Sequence, residues 1–318
     1  MTDETIRQQV LPVANRINEE VKKAVIGKND IIVKTQLAII AGGHILLDDI
    51  PGVGKTTLAL AFSKAMSLDY KRMQFTPDVL PADVTGFTVY NKQTERFEYK
   101  PGAALCSLFL ADEINRTSSK TQSALLEAME EGAVTVDGVT HELPKPFIVI
   151  ATQNPIGSVG TQMLPESQLD RFIVRLSMGY PDLNSEIAIL KSKGAEKPVD
   201  SIVPVASAKD VLMLRAAAEQ IFVDDRVYKY IASIAAATRT HPQIKLGLSP
   251  RGSVALAAMA KATALLSGRS YVIPDDVKFI LNDVVEHRII ISPKAKAAGV
   301  TAADVLRDIS ARTPAPKI

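Results

Sequence analysis

The chain has 318 residues, of which 47% are hydrophobic and 23% are charged, as in ordinary folded proteins. Its formal net charge is only +2 and it has no block of five or six like charges, which argues against a surface devoted to nucleic acid or an anionic membrane. The single cysteine, Cys106, has no partner for an internal disulfide and lacks the Cys/His neighbours of a zinc site. The length favours two domains.

The N-terminus reads Met-Thr-Asp-Glu, which is acidic rather than basic, and the apolar residues after it are spaced for a helix. We therefore do not expect an export signal. No run approaches the roughly 20 consecutive apolar residues that span a bilayer, and Lys261 interrupts the densest run, residues 254–266. The sequence predicts a cytoplasmic protein without a membrane span, and the lone cysteine agrees with a reducing compartment.

Apolar residues at helical spacing predict two helices, over residues 6–25 and 31–41, ahead of the first strand. Short apolar runs predict four strands, and helical patterns at residues 57–66 and 118–131 alternate with them. Strands that alternate with helices indicate an α/β fold with a mostly parallel sheet. The four predicted strands are His44–Asp48, residues 105–111, residues 147–151 and Phe172–Leu176.

Two insertions in this first part are predicted to be β-hairpins. Residues 88–90 and 96–99 are rich in β-branched and aromatic side chains and flank a polar turn, which gives a hairpin over about residues 87–99. Asp137-Gly138 is a strong two-residue turn signal inside a second hairpin, residues 133–143. We expect both hairpins to protrude; the alternative is that each extends an edge of the main sheet.

The strand pattern stops around Tyr180-Pro181-Asp182, and an alanine-rich sequence with helical periodicity follows. Ser207 with Asp210 three residues later predicts a capped helix start, and prolines at positions 250 and 274 begin two more helices. We therefore predict an α/β domain over residues 1–182 and an all-helical domain over residues 183–318.

Residues 49–56, Asp-Ile-Pro-Gly-Val-Gly-Lys-Thr, nearly match the P-loop pattern, in which backbone N–H groups wrap around a phosphate. The window lies between an apolar strand and a helix, the context that this chemistry requires. Asp49 replaces the first glycine and tolerates left-handed backbone geometry less easily than glycine does. We expect Lys55 to reach the β- and γ-phosphates of ATP and the Thr56 hydroxyl to ligate Mg²⁺.

Polar residues also follow two later strands, at the edge where parallel sheets place chemistry. Asp112 is expected to hold Mg²⁺ through its water shell, and Glu113 to polarise the attacking water as a general base. Asn154 is expected to position that water and the γ-phosphate. Taken alone, the two acids also fit the start of an ordinary loop, and Asn154-Pro155 fits a turn.

Three segments together resemble the AAA+ ATPases, and their wording resembles the MoxR branch: Pro51-Gly52-Val53-Gly54-Lys55-Thr56, Ala111-Asp112-Glu113-Ile114-Asn115-Arg116 and Gln168-Leu169-Asp170-Arg171-Phe172. The resemblance covers about residues 10–310. It implies a P-loop αβα sandwich with a helical lid, ATP hydrolysis, and a homo-oligomeric ring that usually has six subunits. An acidic residue at position 49 is familiar in this branch.

The resemblance also implies roles for further residues. Arg171 would be the finger that enters the neighbouring subunit's site, with Arg175 as the substitute; the alternative is an ion pair with Asp170 or another nearby acid. Arg251 resembles the family's second sensor, acting either on its own site or on a neighbouring one. Val25-Ile26-Gly27 would border the adenine, although this segment also fits a helix end. The expected nucleotide contacts are Ile26, Gly27, Pro51, Gly52, Val53, Gly54, Lys55, Thr56 and Thr57.

The predicted function is Mg-dependent ATP hydrolysis that remodels or matures protein clients, often with a partner that carries a von Willebrand A domain, as the MoxR resemblance implies. Two rival functions stay open. One is a nucleic-acid motor, with Lys92 and Arg96 of the first hairpin on phosphates, although the small basic excess does not favour it. The other is a non-hydrolysing nucleotide switch or a chelatase-type motor subunit.

Some polar residues are not assigned a role in catalysis. The four histidines form no i, i+4 pair and no acid-flanked cluster, so we interpret them as structural or surface residues. Arg116 follows the Asp-Glu pair closely, and both an interface role and a salt bridge fit it. The histidines are His44, His141, His241 and His287.

Overall fold

The computed structural model describes residues 1–154, 164–192 and 198–317. The chain begins with α1 (Asp3–Thr5), a π-helical turn (Ile6–Val10), α2 (Leu11–Lys22) and α3 (Asn29–Ile40). These segments confirm the helical regions predicted ahead of the first strand. Buried residues of α2 recur every three or four positions, as packing along one helix face requires: Ala14, Ile17 and Val21.

The central sheet has five parallel strands: β1 (His44–Asp48), β2 (Tyr70–Gln74), β5 (Leu108–Asp112), β8 (Ile148–Gln153) and β9 (Phe172–Leu176). Their order is β2-β5-β8-β1-β9. Successive side chains alternate between two apolar cores, one on each face of the sheet. Helices cover both faces, with α4 (Lys55–Ala65) on one and α6 (Ser119–Glu131) on the other. The predicted αβα sandwich is therefore confirmed.

Strand β2 was missed by the sequence analysis. Its residues include Lys71, Arg72 and Gln74, so it has no apolar run, and it lies at an edge of the sheet where several of its side chains reach solvent. It nevertheless pairs with β5 along its full length, from Tyr70 opposite Leu108 to Gln74 opposite Asp112. Pairing with a buried neighbour, rather than its own composition, makes this segment a strand.

Both predicted hairpins are present. Helix α5 (Pro81–Thr85) leads into β3 (Gly86–Asn91), which pairs antiparallel with β4 (Arg96–Pro101). Strand β6 (Ala133–Val136) pairs antiparallel with β7 (Val139–Glu142). Each pair forms a two-stranded sheet of its own, so the alternative that the hairpins extend the main sheet is wrong.

The turn between β6 and β7 has the geometry that its sequence predicts. Asp137 and Gly138 both have positive φ, 50° and 78°, which a two-residue turn of the primed type needs. The rings of Tyr99 on β4 and His141 on β7 stack with their centroids 3.7 Å apart. The two hairpins are therefore in contact with each other.

The second part of the chain is helical, as predicted. Ser207 and Asp210 each accept a hydrogen bond from the other's backbone N–H, which confirms the predicted capped start of a helix. A short antiparallel ladder, β10 (Ile244–Leu246) with β11 (Ile290–Ile291), was not predicted because two or three residues leave no readable alternation. After α7 (Glu166–Leu169) in the first part come α8 (Leu183–Ser192), α9 (Ala208–Glu219), α10 (Asp225–Thr240), α11 (Pro250–Leu266), α12 (Pro274–Val285), α13 (Pro293–Ala297) and α14 (Ala302–Arg312).

The larger apolar core is continuous between the two parts of the chain. It runs from α2 and α3 across one face of the sheet to α9, α11 and α12. The helical part therefore packs directly against the α/β part, and the boundary at residue 182 stays a prediction. Within the described ranges, no helix has the length and apolar character needed to cross a bilayer.

Candidate functional site

The phosphate loop, residues 49–56, connects β1 to the first turn of α4. Gly52 and Gly54 have φ of 86° and 100°, a region that residues with a Cβ rarely adopt, and Gly54 is the N-cap of α4. The first N–H groups of a helix have no partner inside it, and the helix dipole places positive charge there. The loop therefore has the backbone geometry of an anion-binding site.

Lys55 lies at the centre of this loop and is only 7% exposed. Its Nζ donates to the carbonyl oxygen of Asp49 at 2.5 Å and to that of Ile50 at 3.3 Å. Burial lowers the pKa of Lys55, and the nearby carboxylates, chiefly Asp49 and Asp112, partly oppose this shift. The lysine amine is thus held beside the loop by weak, neutral acceptors that a phosphate oxygen can replace.

A cavity of about 720 Å³ opens beside the loop, a size typical of small-ligand sites. Val25 and Ile26 form part of its apolar wall, as the predicted adenine contact requires, whereas Gly27 does not line it. Gly27 has a φ of 73°, and a Cβ there would lie 1.9 Å from Oγ of Ser185, so this glycine permits close packing against α8. From the loop and α4, the cavity is lined by Gly52, Val53, Gly54, Thr56, Thr57 and Leu60.

Asp112 ends β5 next to the loop and is almost fully engaged. Its Oδ1 accepts from Oγ1 of Thr152 at 2.6 Å. Its Oδ2 accepts from two nitrogens of Arg72, Nη2 at 2.7 Å and Nε at 3.2 Å. A fork of this kind fixes the orientation of the carboxylate and neutralises its charge.

Glu113 is the N-cap of a 3₁₀ turn and has a left-handed backbone, with a φ of 58°. Its Oε1 accepts from Nδ2 of Asn154 at 2.9 Å, and its Oε2 accepts from Nη1 of Arg116 at 2.8 Å and Nε2 of Gln74 at 3.4 Å. Burial alone would raise the pKa of Glu113, but these hydrogen bonds outweigh it and lower that pKa. The carboxylate is therefore held ionised at neutral pH.

Asn154 is oriented from its backbone as well. Its N–H donates to Oδ1 of Asn115 at 3.4 Å, and its carbonyl accepts from Nδ2 of Asn115 at 3.3 Å. Pro155, the second residue of the alternative Asn-Pro turn, lies outside the described residues. Arg116, for which two roles were open, forms the ion pair with Glu113.

The donors near the loop suit Mg²⁺ bound together with a phosphate ligand. Among the described residues there is no group of three or more His, Cys, Asp or Glu side chains that would hold a metal alone. Mg²⁺ typically takes one or two carboxylates and completes its shell with water and substrate phosphates. Asp112 and the hydroxyl of Thr56 fit that pattern.

Arg171 and Arg251 lie together at the opposite end of the strands, near the start of β1. Nη2 of Arg171 is 3.0 Å from Oε2 of Glu130, and Nη2 of Arg251 contacts Oε1 of the same carboxylate. With His44, the first residue of β1, these residues line a small cavity of about 160 Å³. Neither arginine is among the described residues that line the larger cavity beside the loop.

Arg171 forms an ion pair with an acid other than Asp170. Asp170 pairs with Arg288, with 2.8 Å between Oδ1 and Nε, and the acid that pairs with Arg171 is Glu130. Arg175, the substitute finger, lies inside β9 and contacts Glu286 at 3.2 Å and Asp48 at 3.8 Å. Arg175 is therefore near its own phosphate loop and apart from the arginine cluster, by which we mean Glu130, Arg171 and Arg251.

Four residues of this site were missed by the sequence analysis. Thr152 directly follows a predicted strand, at the same end of the sheet as Asp112, and that position was a usable signal. Arg72 and Gln74 both lie on the unpredicted strand β2, so nothing linked them to Asp112 or Glu113. Glu130 gave no signal, because its two arginine partners are distant in sequence.

Comparison with known proteins identifies the family. Residues 44–174 match the model of the ATPase family associated with various cellular activities (AAA), and residues 236–309 match the AAA lid domain. The chain is 46% identical over 98% of its length to the uncharacterized protein YeaC of Bacillus subtilis, covering 97% of that protein. A presumed ATPase from Cytophaga hutchinsonii has a crystal structure that superposes with a TM-score of 0.90 at 35% identity over 99% of both chains.

A further relative carries a family name. Chaperone MoxR1 of Mycobacterium tuberculosis is 35% identical over 94% of this chain and 81% of its own length. With the parallel sheet, the helical lid and the phosphate loop already described, this similarity shows that the chain belongs to the MoxR family of AAA+ ATPases.

Proposed function

We propose that this chain hydrolyses ATP with Mg²⁺. The observation that carries the proposal is the hydrogen bond between Asn154 and Glu113, which holds an ionised carboxylate at the strand edge next to the phosphate loop. A carboxylate in this state is suited to accept a proton from an attacking water. The neighbouring amide is suited to orient that water and the γ-phosphate.

The phosphate loop supplies the nucleotide contacts in this proposal. Backbone N–H groups of residues 52–57 receive the phosphates, and Lys55 exchanges its two loop carbonyls for β- and γ-phosphate oxygens. Thr56 and Asp112 hold Mg²⁺, which when bound offsets phosphate charge. The apolar wall at Val25 and Ile26 receives the base, as the lining of the cavity supports.

The arginine cluster completes the site of a neighbouring subunit. Asp48 and His44 are the two ends of β1, about 13 Å apart at roughly 3.3 Å per residue. The loop follows Asp48 and the cluster lies at His44, so the two groups are on opposite edges of one subunit. We therefore propose that Arg171 and Arg251 both act in trans, in a ring that we expect to be hexameric.

Mixing two inactive variants tests this division directly. Lys55→Ala lacks the phosphate contact but keeps both arginines, and Arg171→Ala keeps the loop but lacks the finger. Phosphate release should be low for each variant alone and should recover in the mixture, where some sites combine an intact loop with an intact neighbour. A mixture no more active than the sum of its parts would contradict a shared site.

We further propose that hydrolysis drives chaperone-like remodelling of protein clients in the cytoplasm, with a von Willebrand A domain protein as a candidate partner. A close relative bears the name Chaperone MoxR1. The first hairpin supports contact with apolar protein segments, because Phe97 and Tyr90 are 75% and 52% exposed and lie edge to face at 5.3 Å. The buried free thiol of Cys106 is compatible with a reducing compartment.

Affinity capture with Glu113→Gln tests the remodelling proposal. This variant should bind ATP without turning it over, and so should retain clients that wild type releases. This variant should also show no salt-sensitive binding to DNA. In a separate assay, DNA should not stimulate ATP turnover by the wild-type protein. Stimulation by DNA that is lost when Lys92 and Arg96 are replaced would favour the nucleic-acid motor instead.

A further inference from the structure

Asp49, the residue that breaks the P-loop pattern, has a buried carboxylate that accepts four hydrogen bonds. It is 6% exposed, and its Oδ2 accepts hydrogen bonds from the backbone N–H groups of Met178 and Gly179, the latter at 2.8 Å. The same oxygen accepts from Oγ of Ser177 at 3.1 Å. Its Oδ1 accepts from the backbone N–H of Ile50 at 3.1 Å. All four donors are satisfied by one side chain.

The backbone at this position does not require glycine. Among the described residues other than glycine, the positive φ values belong to Ser67, Glu95, Glu113 and Asp137, so Asp49 is not in the left-handed region. The aspartate therefore costs the loop no backbone strain. Aspartate here adds a side chain whose carboxylate makes four contacts, and it leaves the backbone less free than glycine would.

The segment that Asp49 holds, residues 177–180, is also bound by the side chain of Lys28. Nζ of Lys28 donates to the carbonyl oxygens of Met178, at 2.5 Å, and Tyr180, at 2.7 Å. Both backbone polar groups of Met178 are thus engaged by charged side chains from elsewhere in the chain. Residues 177–180 follow β9 and precede α8, so they lead from the sheet into the helical lid.

Asp49 also contacts the lysine that would bind phosphate. Nζ of Lys55 donates to the backbone carbonyl of Asp49, while the side chain of Asp49 holds residues 177–180. Met178 lines the nucleotide cavity, and its Cε lies 3.7 Å from the position that a Cβ on Gly54 would take. A movement of Lys55 toward a phosphate therefore changes the contacts of the residue that anchors this segment.

We propose that Asp49 is a positioning residue that couples the phosphate loop to residues 177–180, so that nucleotide in the loop alters the lead-in to the lid. The effect of nucleotide rests on the proposed function, whereas the hydrogen bonds between Asp49 and this segment do not. Asp49→Gly would restore the strict P-loop pattern but would remove these hydrogen bonds. We therefore expect this replacement to loosen residues 177–180 and to uncouple them from the phosphate loop, although it improves the match to the motif.

Hydrogen exchange followed by mass spectrometry tests, in the nucleotide-free protein, whether Asp49 holds residues 177–180. Asp49→Gly should speed exchange in residues 177–180 by about tenfold or more, the loss expected for hydrogen bonds to a charged acceptor. Asp49→Asn keeps one acceptor oxygen and should have an intermediate effect. The matched control is Asp304→Asn, because Asp304 also accepts a backbone N–H, that of Thr301, but lies on α14. Wild-type exchange at residues 177–180 in both Asp49 variants would overturn the proposal.

The same measurement with Mg·ADP tests the coupling. In wild type, ADP should slow exchange both in residues 52–57 and in residues 177–180. In Asp49→Gly the response of residues 52–57 should remain and that of residues 177–180 should be lost. A retained response at 177–180 would overturn the coupling. If wild type does not bind Mg·ADP, the proposed function fails, while the nucleotide-free comparison still decides whether Asp49 holds the segment.

Discussion

The amide of Asn154 donates to the carboxylate of Glu113, with 2.9 Å between Nδ2 and Oε1. This contact joins the ends of two neighbouring strands, β8 and β5, across the edge of the sheet. Arg116 and Gln74 occupy the other oxygen of Glu113. Glu113 is therefore an ionised acceptor held by three donors, and Oε1, which accepts only one of them, keeps a second acceptor position for a water.

We predict that Glu113→Gln lowers the rate of phosphate release by at least about 100-fold, because the amide cannot accept a proton from water. Binding of a fluorescent ADP should change less than about threefold, since Glu113 is absent from the described lining of the nucleotide cavity. The control is Glu127→Gln, an exposed glutamate on α6. Turnover in Glu113→Gln within tenfold of wild type would remove Glu113 from the role of base.

If Asp112 holds Mg²⁺ as proposed, Arg72 competes with the ion, because its guanidinium forms a fork on the oxygen of Asp112 that faces away from Thr152. We predict that Arg72→Ala lowers the Mg²⁺ concentration needed for half-maximal ADP binding by about two- to fivefold. The effect is modest because the arginine side chain is 45% exposed, and solvent screens such pairs. A magnesium titration at fixed nucleotide measures it.

Lys71→Ala is the control for this change. Lys71 is the preceding residue on β2, but its Nζ donates to the carbonyl of Gly102 at 3.2 Å rather than to Asp112. Its removal should leave the magnesium requirement unchanged. A higher magnesium requirement in Arg72→Ala would show that the arginine supports the metal site instead of competing for it.

Arg251 should act on the neighbouring subunit, because Glu130 holds it beside Arg171 and away from its own loop. We predict that Arg251→Ala lowers turnover of the assembled protein by about 10³-fold or more, in the range known for trans-acting arginines. Binding of ADP by dilute, unassembled subunits should stay within about twofold of wild type. Weakened ADP binding by such subunits would instead place Arg251 at its own site. Arg226→Ala, which removes an exposed arginine paired with Asp224, is the control.

The sequence predicted the elements whose signal is local. Apolar runs gave four of the five strands, Asp137-Gly138 gave a hairpin turn, and Ser207 with Asp210 gave a helix start. The phosphate loop was readable because its glycines, lysine and threonine are adjacent in the chain. Local chemistry and local geometry agree at these places, so no tertiary information was needed.

Contacts between distant segments were not readable from one sequence. Arg72 meets Asp112 only because β2 pairs with β5, and β2 has no apolar pattern of its own. Glu130 meets Arg171 and Arg251 because α6 ends where β9 begins and where α11 packs. Asp49 looked like a defect in a motif because its partners lie about 130 residues further along the chain.

His44 makes the stability of the fold depend on pH. Its ring is buried, Nδ1 accepts from the N–H of Val149 at 3.0 Å, and Nε2 donates to the carbonyl of Met129 at 3.1 Å. Burial lowers the pKa of His44 from 6.5 to about 4; the charge of Arg215 adds to the shift, and the Met129 carbonyl opposes it. Protonation would also turn Nδ1 from an acceptor into a donor facing another donor.

The unfolded chain therefore takes up a proton at His44 before the folded protein does. The contribution of this residue to the free energy of unfolding should be complete above pH 6.5 and should fall by about 1.4 kcal/mol per pH unit between pH 6.5 and 4. Urea unfolding curves at pH 7 and pH 5 measure the change.

His44→Gln, which keeps one donor and one acceptor but does not titrate, should be less stable at pH 7 and should lose less stability on acidification. Part of the slope should persist, because burial also lowers the pKa of His287. A slope in His44→Gln equal to that of wild type would show that acid destabilises the fold through other groups.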